Sequence, residues 1–155
     1  MRLTTHGTGT RPLDEIELQS AVLVRNFEVL RRRGKVYVDL DGAEYLLLRT
    51  LDDLGPMDIG TLASALCVDP STAGRQVGAM HAAGLVDREP APEDRRRTII
   101  SVTDEGLRRT ETVRHRRHDN LRELLEDWSP ADLETLGVMF RRYNAAVSDR
   151  YVTNT

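Results

Sequence analysis

Asp58 and Asp69 stand eleven residues apart, and each precedes a short helical pattern. After Asp58 the apolar residues Ile59, Leu62, Ala63 and Leu66 recur at helical spacing. After Asp69 comes Pro70, at the first helical position, where its missing N–H costs nothing. The pattern then runs through Met80 to about Ala83, and Gly84 closes it. Cys67 and Val68 leave room for only a brief turn between the two. Two short capped helices joined this tightly form a helix-turn-helix unit.

The periodicity changes after Gly84. Leu85 to Glu89 reads as a strand, Pro90 to Arg97 as a charged turn, and Thr98 to Val102 as a second, β-branched strand. The pair is a hairpin with arginines at its tip, a wing. Long helices flank this unit. Leu13 to Arg33 carries Ile16, Val22, Leu23, Phe27 and Leu30 at helical spacing and ends near Gly34. Lys35 to Leu40 is a short extended link. Asp41, with Glu44 three residues on, starts a helix whose apolar run from Tyr45 to Leu54 points to burial. Asp104 to Asp127 is a long polar helix. Ser129, Pro130 and Asp132 open a last one, with Leu133, Leu136, Met139, Phe140, Tyr143 and Val147 on one face.

The expected fold is therefore mainly α with a two-stranded β wing: a winged helix-turn-helix with N- and C-terminal dimerisation helices. Its divisions are a disordered tail over 1–12, a first dimerisation helix and link over 13–40, the DNA-binding domain over 41–103, and C-terminal dimerisation helices over 104–155. A chain of 155 residues can bury such a core without metal or disulfide. The single cysteine excludes an internal disulfide framework. No apolar run approaches the roughly 20 residues that span a bilayer, and Met1 to Pro12 lacks the apolar centre of a signal peptide. A cytoplasmic location with no membrane contact follows as the expectation. The net charge of −3 is a mild argument against nucleic acid, but the placement of charge matters more than its sum.

The order of elements resembles the MarR family of winged helix-turn-helix regulators, and residues Leu62 to Gly106 carry the resemblance. DPSTAGRQVGAM resembles the family's recognition helix, GLVDR its exit, and DRRRTIISVTDEG its Asp-x-Arg wing, here Asp94 and Arg96, followed by the start of the next helix. Gly74 and Gly78 depart from the small or polar side chains more usual in that recognition helix, and Val102 stands where leucine is usual. The resemblance implies a DNA-binding transcriptional regulator, a repressor released by a small, often aromatic, effector. The effector's cleft would lie between the dimer arms and the DNA-binding unit, near Tyr37, Tyr45 and Arg49.

Several side chains carry the expected DNA chemistry. Ser71 and Thr72, in the first turn of the recognition helix, offer hydroxyls beside unpaired backbone N–H groups, a setting for phosphate; for Ser71, capping alone is an equal reading. Arg75 and Gln76 project outward, while Ala73, Val77 and Met80 form the inward stripe. Arginine can bond guanine, and glutamine adenine, through two contacts each. Of Arg95, Arg96 and Arg97, one or two are expected in an adjacent minor groove. Asp94 is expected to pair with Arg96 and fix the wing, and Arg88 to touch backbone or brace the wing.

Other residues are given bland roles. His115 and His118 share a helix face, but neighbouring Arg116 and Arg117 repel a cation, so they read as solvated surface and not a metal site. Cys67, between Leu66 and Val68, reads as a buried small hydrophobe and not a redox sensor. No catalytic constellation and no cofactor site is visible, so an enzyme is not expected. The apolar surface of the flanking helices predicts a homodimer, presenting two recognition helices about one DNA turn (~34 Å) apart to a pseudo-palindromic double-stranded operator. The alternative is a winged-helix protein-interaction module that has lost DNA binding, which the acidic balance and Gly74 would suit.

Overall fold

The computed structural model describes residues 11–151. The residues expected to form a tail fall almost wholly outside that range, and Pro12 is already helical. The order of elements is α1 (Pro12–Arg33), α2 (Gly42–Leu54), β1 (Met57–Asp58), α3 (Ile59–Leu66), α4 (Pro70–Ala82), β2 (Val86–Pro90), β3 (Thr98–Val102), α5 (Asp104–Leu124) and α6 (Pro130–Tyr151). The chain divides into two compact units between Val36 and Tyr37.

The first unit is α1. Pro12 occupies its first turn, Asp14 and Glu15 complement its N-terminus, and Arg31, Arg32 and Arg33 its C-terminus. It buries none of its residues, and Ile16, Leu23 and Phe27 are exposed. Gly34 ends it in a right-handed conformation, with φ −77°, and the left-handed turn falls on Lys35, with φ 45°. The link was expected to be extended; it bends at Lys35 and again, in the second unit, at Asp39, with φ 66°.

The second unit begins with α2, where Asp41 and Glu44 form a reciprocal capping box, with hydrogen bonds of 2.8 Å each way. Its burial is one-sided. Leu47, Leu48 and Leu51 are enclosed, but Leu46 and Leu54 face outward, so the apolar run overstated how much of this helix is covered. Asp58 caps α3 through the Thr61 N–H, and Asp69 caps α4 through the Thr72 N–H. Between them Cys67 takes a left-handed conformation, with φ 59°, and the Val68 N–H donates to the Ala63 carbonyl. That bond satisfies a carbonyl the ending helix would otherwise orphan. This corrects the expected burial of Cys67: it is exposed, because the turn consumes its backbone while its side chain stays outside, 3.4 Å from the Ser148 hydroxyl.

Gly84, with φ 73°, ends α4 in the same manner, and the Leu85 N–H donates to the Met80 carbonyl. Leu85 thus belongs to the helix exit, and the strand starts one residue later than expected. The expected two-stranded wing is the β2–β3 hairpin, and β1 joins it in a three-stranded sheet of order β1-β3-β2. Val86 pairs with Val102 and Pro90 with Thr98 in the hairpin, while Met57 and Asp58 add an edge opposite Ile100 and Ile99. Ile100, central and fully buried, meets Leu47, Leu48, Leu51, Leu62, Val77, Met80 and Val113 in one core. The expected inward stripe of α4, Ala73, Val77 and Met80, is buried.

Thr103 caps α5, accepting from the Gly106 N–H at 3.1 Å and donating to the Gly84 carbonyl at 2.7 Å. A Cβ on Gly106 would stand 2.2 Å from the Leu85 carbonyl oxygen, so close packing demands glycine there. Gly74 is the opposite case: a Cβ there meets nothing within 4 Å. Gly106→Ala should therefore cost about 1–3 kcal/mol through overpacking, and Gly74→Ala should add about 1 kcal/mol by helix propensity. Thermal melts of the two variants, moving in opposite directions, check this pair.

Candidate nucleic-acid interface

The recognition helix α4 is built outward from its cap. Asp69 accepts the Thr72 N–H at 2.9 Å, the Thr72 hydroxyl at 2.6 Å, and the Ser71 hydroxyl in a shorter contact. These donors hold its carboxyl well below the usual carboxylate range, the Ser71 hydroxyl contributing most. Both hydroxyl protons are thus committed to Asp69 in the unbound protein, instead of standing ready for a phosphate. The remaining lone pair on Thr72 has a consequence further along the helix. The Arg75 Nη2 donates to Thr72 Oγ1 at 3.3 Å, so a chain from Asp69 through Thr72 orients the guanidinium.

Arg75 is exposed and Gln76 half-buried. The exposed positions one turn either side of Arg75 carry the short Ser71 and Ala79, with Thr72, Gln76 and Gly78 half-buried beside them. At the far end of the helix His81 Nδ1 lies 3.0 Å from the Val86 carbonyl, joining α4 to the first wing strand.

The wing loop is closed at its base by the Ala91 N–H, which donates to the Arg97 carbonyl at 2.8 Å, and Ala91 is buried there. Asp94 shapes the tip, but through backbone: its Oδ1 accepts the Arg96 N–H at 3.0 Å and its carbonyl accepts the Arg97 N–H at 3.0 Å. The expected Asp94–Arg96 pairing is therefore a turn bond and not a side-chain ion pair, which leaves the Arg96 guanidinium available. Arg88, Arg95 and Arg96 are exposed and make no ion pair among the described residues. Arg97 differs. Its Nε and Nη2 donate to Asp58 Oδ2 at 3.1 and 2.6 Å, and its Nη1 lies 3.5 Å from Glu93.

The cap role of Asp58 is legible in the sequence; this second partner, 39 residues away, is not. The Thr61 backbone N–H first, and then the Arg97 guanidinium, hold the Asp58 carboxyl down at about 2.

Tyr37 and Tyr45 come together edge to face with ring centroids 6.4 Å apart. Arg49 does not join them; it pairs with Asp52 and Asp53 on its own helix. The cation at the rings is Arg117, 5.5 Å from the Tyr37 centroid and 5.3 Å from that of Tyr45, and it donates to the Tyr37 hydroxyl. A signal for it existed in the sequence. Gly106, Thr110 and Val113 form the buried stripe of α5, and Arg117 is the next position on that stripe. His115 and His118 are exposed, and His115 leans on Glu111 of its own helix. Among the described residues no helix is long and apolar enough to cross a membrane.

The Asp58 carboxyl offers a check on this geometry. Its folded pKa is depressed, so its charged contacts persist above the ordinary value of 3.8 and are lost only as pH falls through about 2. Carboxyl carbon NMR should find its midpoint near 2 in the native chain, and Arg97→Gln should move it upward, part of the way to 3.8.

The chain resembles known proteins in sequence and in fold. The sequence model of the MarR family matches residues 40–98. The uncharacterised HTH-type transcriptional regulator YxaD of Bacillus subtilis is 30% identical over 138 residues, covering 89% of this chain and 96% of that protein. The HTH-type transcriptional repressor IacR of Pseudomonas putida is 28% identical over 102 residues, covering 66% of this chain and 61% of that one. A MarR family protein from Bacillus stearothermophilus shares the fold with a TM-score of 0.74 at 20% identity, over 92% of this chain and 99% of its own. So does the PcaV transcriptional regulator of Streptomyces coelicolor, solved with its natural ligand, with a TM-score of 0.65 at 20% identity, over 94% and 99%. The chain belongs to the MarR family of HTH-type transcriptional regulators.

Proposed function

We propose that the chain acts as a homodimeric repressor, binding a pseudo-palindromic operator and blocking transcription by occupying it. The observation that carries this reading is the pairing of an outward, pre-oriented Arg75 on the second helix of the helix-turn-helix with exposed, unpaired Arg95 and Arg96 at the wing tip. Arg75 reads a guanine edge through two donors, with Gln76 at its flank. Arg95 and Arg96 enter the neighbouring minor groove, where charge and shape are read. Arg88 holds backbone phosphate. Ser71 and Thr72 serve the cap and Arg75 more than they serve phosphate. The relatives named above are transcriptional regulators, one of them a repressor, and a non-enzymatic role in the cytoplasm is consistent with them.

Two copies are needed because one recognition helix covers only one half-site. The last helix supplies surface for pairing: α6 buries none of its residues, and Leu133, Met139, Phe140, Tyr143 and Val147 are exposed along it.

Release by a small aromatic effector is the regulatory part of the reading. Tyr37, Tyr45 and Arg117 offer ring faces and a guanidinium, which suit an aromatic ligand carrying negative charge. A ligand that fits one spacing of the two reading heads better than the other shifts the population between them.

Fluorescence anisotropy on DNA enriched by the protein from a random-sequence library tests the reading. Arg75→Ala should cost about 1–3 kcal/mol of discrimination at one base per half-site. Arg95→Ala and Arg96→Ala should weaken binding to all sequences, each lowering the salt slope by about one per site. Failure to enrich any sequence would end the operator reading, and salt-insensitive capture of a protein partner would replace it with an interaction module.

A further inference from the structure

We infer that Asp58 and Arg97 form a positioning brace that fixes the wing against the helix-turn-helix, and that Arg97, the third arginine of the wing run, serves this brace instead of touching DNA. The inference rests on the DNA-binding reading above and divides its arginines into two roles.

Asp58 stands where three elements meet. It is the last residue of β1, the cap of α3, and the partner of Ile99 on β3. Its two oxygens are divided between those neighbours. Oδ1 accepts the Thr61 N–H at 2.8 Å, and Oδ2 accepts Nε and Nη2 of Arg97. Arg97 is equally tied on its own side. It directly precedes β3, its carbonyl closes the wing loop through Ala91, and its N–H donates to Asp94. One ion pair therefore joins the base of the wing to the first turn of the helix-turn-helix, across 39 residues of sequence.

The wing needs such a tie. A two-stranded ribbon is marginal by itself, and β1 adds only two residues to this sheet. An arginine held through two nitrogens is constrained in direction as well as distance. The guanidinium is also unsuited to phosphate as it stands, since it faces Asp58 and Glu93 together. To reach DNA it would have to leave both carboxylates. Arg96 and Arg95, one and two residues away, face no such competition among the described residues.

The test separates a brace from a contact by sign. Asp58→Asn keeps an acceptor for the Thr61 N–H, since asparagine caps helices as well as aspartate, but removes the charge that holds Arg97. Affinity for a duplex enriched by the wild-type protein is measured across a salt series. A brace predicts that Arg97→Gln and Asp58→Asn each weaken binding about tenfold, the scale of one lost charge-assisted contact. The salt slope stays unchanged, and the double variant loses no more than either single. In the unbound protein both variants should speed amide hydrogen exchange over residues 91–98, with little change in melting temperature.

A salt slope lowered by about one per half-site in Arg97→Gln, or tighter binding by Asp58→Asn, would make Arg97 a DNA contact and overturn the brace. Unchanged exchange over the wing would overturn it too, and so would faster exchange with unaltered affinity. If the wild-type protein binds no duplex, the operator reading fails on its own, while the exchange measurement still decides the brace.

Discussion

The position of β3 governs everything the protein presents to a partner. It is the middle strand of the sheet, and Ile100 at its centre is sealed among side chains from α2, α3, α4 and α5. Burying a residue of that size contributes about 1.5–3 kcal/mol, yet its larger effect is geometric. The strand that anchors the core is also the second leg of the wing. Its register with β2 sets how far the loop projects, and its register with β1 places Asp58 at the start of α3. A displacement of β3 by one residue would turn Ile100 out of the core, and it would also carry Arg97 away from Asp58. Core packing and wing placement are therefore a single constraint.

Caps then set the direction of α4. Asp69 gathers three donors at the head of α4, and through Thr72 it reaches Arg75, one turn further on. The group that caps the helix and the group that orients the exposed Arg75 guanidinium are here one carboxylate. Asp58 doubles in the same way for α3 and the wing. Such sharing lets a small domain place long, flexible arginines without burying them, since orientation comes from hydrogen bonds at the surface and rigidity from the core beneath.

Local signals explain what could be read from the sequence. The caps at Asp41, Asp58, Asp69 and Thr103 act within three residues, so Asp41 with Glu44, and Asp69 with Pro70, declared the helix starts. The stripe of Ala73, Val77 and Met80 is set by helical period alone. What escaped was set by contacts distant in sequence. The strand at Met57 and Asp58 is too short to show alternation and exists only because β3 lies beside it. Arg97 finds Asp58 across 39 residues with no local signature, and Arg117 finds Tyr37 across 80, its inward position legible from the stripe of α5 but its partner not. Cys67 was misjudged because apolar neighbours suggested burial, whereas a left-handed turn decided its exposure.

An acidic total of −3 coexists with attraction to DNA because ion pairs cancel charge locally. Several arginines of the helices are answered on their own element: Arg31 and Arg32 by Glu28, Arg49 by Asp52 and Asp53, Arg108 and Arg109 by Glu105, Arg114 by Glu111, and Arg122 by Asp119. Surface pairs of this kind add little stability, about 0–1 kcal/mol each, but each cancels a charge where it stands. Arg75, Arg95 and Arg96 are not answered in that way among the described residues, so their fields persist at short range. Screening over about 8–10 Å at physiological ionic strength means that a phosphate beside them meets the local cations and not the distant acidic surplus. Net charge is thus a property of the whole chain, whereas attraction to DNA depends on which arginines the protein leaves without a carboxylate.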